Sequence, residues 1–501
     1  MTPGLLRADE PVRFTHSRAA MLAACLGLTA LMLWIANGAG VRGAVAVGGL
    51  LMLIPGYRAA VYAWRHESWL LFGATLLALL ISATFLANET LRAIIHYSLV
   101  MLICLPCVPR AWRSGLLGQG GFRLYMIYFC WSLVTVSYSL APLYSVLRLT
   151  DAILMFLTTT CCVSNIRSPD DAMRLLARVL MAASMVTAVV VLAALLAPHA
   201  VTWQSPQESI EPAVLQQMRA LGISVDGIER FRGIFGGPND VGLLTLVTVG
   251  PALVYWQVAS RRIKWALAAV VTCAFSTCLL ADSRSPMAAL TVGIVLYCIW
   301  RYRIKGILAI AAAAVAGLVI AGLLGHDVSA YLNRGDVTTL TGRTDMWQFV
   351  IADILRRPLF GYGYAVSGAI FESRYFPLWW GPWDQGPHSS IHNGYLEHAV
   401  GVGIPATMFW LAIMLYPWIT VFRSQGDPWH LKSIALLIVI PLLVYNLTEA
   451  ALGDCIQASG LLFGLAWAIG ERYRMLLARE REQVRREALA QMPHGVAALV
   501  G

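Results

Sequence analysis

GILAIAAAAVAGLVIAGLLG, residues 306–325, contains no charged side chain. At about 1.5 Å per residue, a helix of that length crosses the roughly 30 Å hydrocarbon core of a bilayer. The run stops at His326, and the next long apolar segment begins only at about residue 398. Residues 326–397 between them are polar and aromatic and end near His392-Asn393. In a chain otherwise built of apolar runs, such a stretch is the first place to look for a site.

Working outward from 306–325, further apolar segments predict helices at 19–36, 41–56, 69–87, 91–108, 122–141, 146–163, 174–197, 237–258, 263–281, 286–300, 398–421, 432–448 and 456–470. Runs this long are the helical solution to satisfying a backbone in lipid; a barrel would show alternating segments of about 10 residues. Hydrophobic residues make up 58% of the chain and charged ones 13%, against about 25% charged in soluble domains. The mean hydropathy is +0.67. The fold class is therefore an all-α polytopic integral membrane protein, with about 12–14 transmembrane helices and a long outer loop containing short helices. Its parts are an N-terminal tail (1–18), helices over 19–197, an outer loop (198–236), helices over 237–325, the long loop (326–397), helices over 398–470 and a basic tail (471–501). Residues 1–18 resemble the start of a signal peptide, but with so many spans behind them an uncleaved first helix is expected.

The net charge of +10 would suggest nucleic acid in a soluble chain, but here topology accounts for it. Alternate connections and both tails hold roughly 25 of the 37 basic residues, which places both ends in the cytoplasm. The tail carries Arg472, Arg474, Arg479, Arg481, Arg485 and Arg486 up to about Ala490, a basic helix suited to an anionic leaflet. Most of the ten cysteines, Cys104 and Cys107 among them, fall inside apolar spans and read as buried thiols rather than a zinc or redox pair. The basic residues on the opposite face are not needed for topology. They include Arg230, Arg232, Arg284, Arg334, Arg343, Arg356, Arg357 and Arg374.

Four segments converge on that outer face. Arg230-Phe-Arg232-Gly-Ile-Phe-Gly-Gly-Pro238-Asn239 closes one loop and opens a helix, so glycines and outward N–H groups make an anion cradle, or simply a Gly-Pro turn with two snorkelling arginines. Asp282-Ser283-Arg284-Ser285-Pro286 is a tight turn whose arginine needs an anionic ligand or its neighbour Asp282. Thr341-Gly342-Arg343-Thr-Asp345-Met-Trp347 leads into a short helix with Trp347, Val350, Ile351, Ile354 and Leu355 on one face, expected at the membrane interface. Beyond it come Arg356-Arg357-Pro358-Leu359-Phe360-Gly361-Tyr362-Gly363, then His388 and His392-Asn393-Gly394-Tyr395-Leu396-Glu397. Tyr445-Asn446-Leu447-Thr448-Glu449 ends the next-to-last helix with a carboxylate near membrane depth, expected to orient an arginine or histidine or to cap the helix.

Arg-x-x-Gly-x-Phe-x-x-Pro-Asn (230–239), Ser-Arg-Ser (283–285), Thr-Gly-Arg-x-x-x-Trp with Pro-Leu-x-Gly-x-Gly (341–363), His-Asn-x-x-Leu (392–396) and Asn-x-x-Glu (446–449) occur here in order and on one face. Together they resemble the O-antigen ligase and O-antigen polymerase superfamily over about residues 225–470. Ligases often place a glycine where Ala406 stands, three residues after Gly403, and twelve spans are commoner in the family than fourteen. The resemblance implies a bacterial inner-membrane glycosyltransferase, metal-independent and without a cofactor. It would move a glycan from undecaprenyl diphosphate, on the periplasmic face, to a lipid A core sugar or to another lipid-linked or nascent polysaccharide.

The residues suit that chemistry. A diphosphate leaving group needs fixed cations more than a strong acid, and arginine forks match phosphate, which points to Arg230, Arg232 and Arg284. Arg343 either holds the second phosphate or locks the loop to the bundle. The acceptor hydroxyl must lose a proton, and imidazole is the base nearest neutrality, so His392 is the expected catalytic residue, with His388 its rival. Asn239, Asn393 and Glu449 are expected in support. No Asp-rich metal motif or Walker-type loop is visible, which disfavours nucleotide-sugar and ATP chemistry. Ligase and polymerase share these requirements and differ in the acceptor. A polymerase needs a second basic site, which Arg356, Arg357 and Arg374 could supply. A lipid-linked glycan flippase is the reading from another class; such transporters show internal repeats and midplane polar residues, whereas the charges here sit at the outer face.

Overall fold

The computed structural model describes residues 66–81, 100, 103–196, 203–204, 230–323, 343–374, 391–450, 452 and 457–490. The helices expected at 19–36 and 41–56, most of that at 91–108, Arg334 and His388 lie outside the described residues, as does the side chain of Arg374.

The described chain is nearly all helix. In order it forms α1 (Glu67–Ile81), α2 (Val108–Arg113), α3 (Gly120–Val136), α4 (Pro142–Val163) and α5 (Pro169–Leu196). A two-residue antiparallel pairing, β1 (Trp203–Gln204) with β2 (Arg230–Phe231), precedes α6 (Pro238–Trp256). Then come α7 (Arg261–Leu280), α8 (Arg284–Tyr302), α9 (Ile304–Leu323), α10 (Arg343–Arg356) and α11 (Ser367–Arg374). The last elements are α12 (Gly394–Val402), α13 (Ile404–Arg423), α14 (Leu431–Tyr445) and α15 (Ala458–Ala490). Among the described residues, four helices meet a span's requirements of length and apolarity: α4, α5 up to Ala193, α7 and α13. The protein is an all-α membrane protein.

Helix α6 is the hub. It is apolar on every side, the pattern of a helix enclosed by others, and it is buried almost throughout from Pro238 to Val254. Around it pack α5, α7, α8, α14 and α15. Small residues set these approaches, as is usual between membrane helices. A Cβ on Gly250 would lie 2.6 Å from the Leu437 carbonyl oxygen, and one on Gly293 of α8 would lie 2.6 Å from that of Leu436. These carbonyls belong to a π-helical stretch, Ala435–Val439, in the middle of α14. Its cause is Pro441, which has no N–H to offer the Leu437 carbonyl four residues back, so the turn widens. Fixed in this way between α6 and α8, α14 delivers Asn446–Glu449 at its end.

Two expectations change. The segment 398–421 is not one helix: it breaks at Gly403, whose φ of +87° ends α12, while Pro405 starts α13. A side chain at Gly403 would collide with the Leu359 carbonyl, so only glycine fits. The second concerns the helix expected at 456–470, which continues unbroken to Ala490 and carries the basic tail with it. That helix is clamped where it leaves the bundle: Glu471 is buried, accepts from Gly121 N at 2.7 Å and pairs with Arg474 at 2.7 Å.

The described part of the long loop is a packed cap with a small core of its own, built from Val350, Ile354, Tyr362, Val366, Ile370, Ile391 and Val400. The inner edge of α10 thus faces protein, against α12, and only its other edge, Ile351 and Leu355, is exposed. Tyr362 and Gly363 donate to the Val400 and Gly401 carbonyls, both at 2.9 Å, which satisfies the end of α12. Gly361 (φ +65°) and Gly363 (φ +118°) supply the conformations this close approach requires. From the bundle, Ser145 Oγ donates to the Tyr364 carbonyl at 2.6 Å and Trp131 Nε1 to that of Val402 at 3.1 Å.

Candidate functional site

Glu449 is the centre of the site. Its side chain is 13% exposed and follows directly on the turn that ends α14. Oε1 accepts from Arg343 at 2.8 Å and from Asn239 Nδ2 at 2.9 Å, while Oε2 lies 2.7 Å from His392 Nδ1. Arg343 also donates to the carbonyl of Thr448, so one guanidinium grips backbone and carboxylate of the same turn. Burial alone would push the Glu449 carboxyl up, but the bond and charge of His392, with Arg343 behind it, more than offset this. The carboxyl titrates below its ordinary range and is ionised at neutral pH.

Asn239 passes the network on. Its amide oxygen accepts from Arg230 at 3.4 Å and from Ser283 Oγ at 3.5 Å while its nitrogen donates to Glu449, an arrangement that fixes which way the amide points. Arg230 is anchored to the turn after α7: Nε donates to the Ala281 carbonyl at 3.0 Å and a terminal nitrogen to that of Asp282 at 3.1 Å. Arg284, the first residue of α8, stands 3.6 Å from the Asp282 carboxylate, so the pairing weighed from sequence is present. Its side chain is 35% exposed. Arg232 is half-buried, one residue beyond buried Phe231.

His392 has a φ of +52°, uncommon for a residue with a side chain. Its neighbours determine that conformation from several directions. Trp347 Nε1 donates to the Ile391 carbonyl at 2.9 Å, and Ile391 N donates to Glu397 at 3.2 Å. On the other side, Asn393 caps α12 by accepting from Tyr395 N and Leu396 N, each at 3.1 Å. Gly394 N donates to the Asn446 carbonyl at 2.9 Å, and Tyr395 Oη to that of Leu443 at 2.8 Å. The sequence motifs contained Trp347 and Glu397, but their part in holding His392 becomes visible only in the fold.

Four helix starts therefore meet here: α6 through Asn239, α8 through Ser283, α10 through Arg343 and α12 through the His392-Asn393 turn. Each brings the positive end of its dipole to this region, an environment that favours an anion, although the first-turn N–H groups of α12 are already taken by Asn393 and the Asn446 carbonyl. With the arginines around it, the site pairs an oriented imidazole with a cationic surround.

Residues 268–411 match the model of a family described as O-antigen ligase. That segment contains Arg284, Arg343, His392 and Asn393, while Arg230, Asn239 and Glu449 join it from outside through the hydrogen bonds above. No curated protein matches the chain. With the motifs folded around a single carboxylate and the family model matched across its centre, the chain carries a domain of the O-antigen ligase superfamily, a family of glycosyltransferase-type membrane enzymes.

Proposed function

We propose that this protein transfers a glycan from undecaprenyl diphosphate to a lipid A core acceptor on the periplasmic face of the inner membrane, with His392 as general base. The observation that carries the reading is Glu449, which holds His392 through one oxygen and Arg343 and Asn239 through the other. Because Nδ1 faces Glu449, proton transfer falls to Nε2, and the ionised carboxylate stabilises the imidazolium that forms. The acceptor hydroxyl gives its proton to Nε2 as its oxygen attacks the anomeric carbon. The bond from that carbon to the diphosphate oxygen breaks, and the diphosphate leaves with the bonding electrons. A single displacement of this kind inverts the anomeric configuration.

The leaving diphosphate is held by arginine and needs no metal ion in this reading. A guanidinium has five N–H donors. Arg230 and Arg343 are held by protein carbonyls, Asn239 and Glu449, and Arg284, whose side chain is 35% exposed, and Arg232 are the candidates to bind the phosphates with them. The converging helix starts add fixed positive potential where charge develops.

The test is direct. Purified protein in lipid nanodiscs is incubated with an undecaprenyl-diphosphate glycan and either lipid A core or a second lipid-linked glycan, and the products are weighed. Glycan mass added to lipid A core supports ligation. Elongated lipid-linked glycan with no such product replaces it with polymerisation.

A further inference from the structure

The far end of α10 carries an exposed apolar cluster that the cap does not use. Leu355 is 68% exposed, Leu359 58% and Phe360 54%, while Val350 and Ile354 on the same helix are buried in the cap's core. Two arginines rim the cluster. Arg356 pairs with Asp353 at 2.9 Å, and the Arg357 guanidinium lies 4.7 Å from the centre of the Tyr362 ring. We propose that residues 355–360 form a foot of the cap embedded in the bilayer leaflet on the site's side, with the side chains of Leu355, Leu359 and Phe360 among acyl chains and Arg356 and Arg357 at the lipid phosphates. The inference rests on the bundle spanning a membrane and is independent of which glycan is transferred.

Continuity identifies lipid as the occupant. Phe360 stacks on Trp131 of α3, with ring centres 5.5 Å apart and planes 11° from parallel, and its carbonyl accepts from Tyr138 Oη at 2.8 Å. The Tyr362 carbonyl accepts from Leu140 N at 3.2 Å, which places the foot beside the first turns of α4. There Leu143 and Val146 are exposed on a helix long and apolar enough to span. Apolar surface thus runs from the spanning helix onto the cap. Trp131 and Tyr138 stand where that surface begins, the level at which aromatic residues collect in membrane proteins. Contiguous exposed apolar surface rimmed by cations fits a phospholipid leaflet, with acyl chains for one part and phosphate for the other.

The geometry has a purpose. Helix α10 runs from the foot to Arg343, and its 14 residues span about 20 Å. A foot in the leaflet sets the height of Arg343 and Glu449 relative to the headgroups, the plane in which a membrane lipid presents its phosphates.

The test uses the unmodified protein. Nanodiscs containing a phosphatidylglycerol with a diazirine at the end of one acyl chain are irradiated, and the adducts are mapped by mass spectrometry. Adducts on residues 355–360 at yields comparable to those on Leu143 and Val146 are expected. Labelling of Leu143 and Val146 with none on 355–360 would overturn the proposal. In the Leu359→Asp/Phe360→Asp double variant the foot is expected to lose its adducts while Leu143 keeps them; undiminished labelling of the foot in that variant counts against insertion. No glycan substrate is present, so the result is separate from that of the transfer experiment.

Discussion

Oε2 of Glu449 lies 2.7 Å from Nδ1 of His392, although the two residues are 57 positions apart and belong to different elements. The carboxylate fixes the ring's tautomer and direction, the role of the acid in a carboxylate–histidine pair. Glu449→Gln keeps the shape and removes the charge. Transfer activity is expected to fall by up to about 10⁴-fold, the cost of replacing the acid of such a pair by its amide. For His392→Ala the fall is about 10²- to 10⁴-fold, the worth of a general base. Both variants should still insert and accumulate, as read by immunoblot beside glycan transfer in cells. Near-normal product from His392→Ala would remove it from the mechanism.

A pH dependence follows from the same carboxyl. Although burial raises it, His392 and Arg343 bring its folded pKa below the ordinary glutamate value. A depressed folded pKa contributes stability that is fully present above the ordinary value and is lost as pH falls through the lowered one. Wild-type protein is therefore expected to melt above Glu449→Gln at neutral pH and to lose that advantage only on the acid side of the ordinary glutamate range. Melting curves at stepped pH measure the gap. A gap that stays constant through the acid range contradicts this assignment.

Much of this arrangement was legible in the chain. Helices and their order follow from runs such as 306–325, and Glu449, for which the sequence offers either the orienting of an arginine or histidine or a helix cap, bonds to one of each. The break at Gly403 was hidden because apolar residues continue on both sides, and hydropathy does not register a positive φ. Nor could periodicity decide that the Val350–Ile354 edge of α10 packs against α12 instead of lipid, since both environments are apolar. The anchoring of Arg230 on the Ala281 and Asp282 carbonyls depends on α7 ending beside β2, a tertiary fact with no local sign.

Gly394 tests how closely the His392 turn must approach α14. A Cβ there would lie 2.6 Å from Asn446 Cγ, and Asn446 is itself buried and held by Leu452 N at 2.9 Å. Neither side can yield, so Gly394→Ala is expected to cost about 1–3 kcal/mol, the range for overpacking a filled site. It should also displace His392, lowering transfer more than the loss of folded protein explains. Melting temperature and activity per folded molecule separate the two effects.

Arg343 and Arg284 differ in what they hold, and their variants should fail differently. Arg343 binds the Thr448 carbonyl and Glu449 together, a two-pronged grip that a lysine ammonium cannot reproduce. Arg343→Lys is therefore expected to loosen the cap from the bundle, lowering both melting temperature and activity. By contrast, the Arg284 side chain is about a third exposed, and its pairing with Asp282 is long at 3.6 Å. The Asp282 side chain is only 13% exposed, so Arg284→Ala takes a partner from a partly buried carboxylate, some loss of melting temperature is expected, and activity is compared per folded molecule. If Arg284 holds the departing diphosphate, transfer should disappear, and binding of undecaprenyl diphosphate, measured by native mass spectrometry, should weaken with it. Loss of transfer with donor binding unchanged would move Arg284 from the diphosphate to the acceptor side of the site.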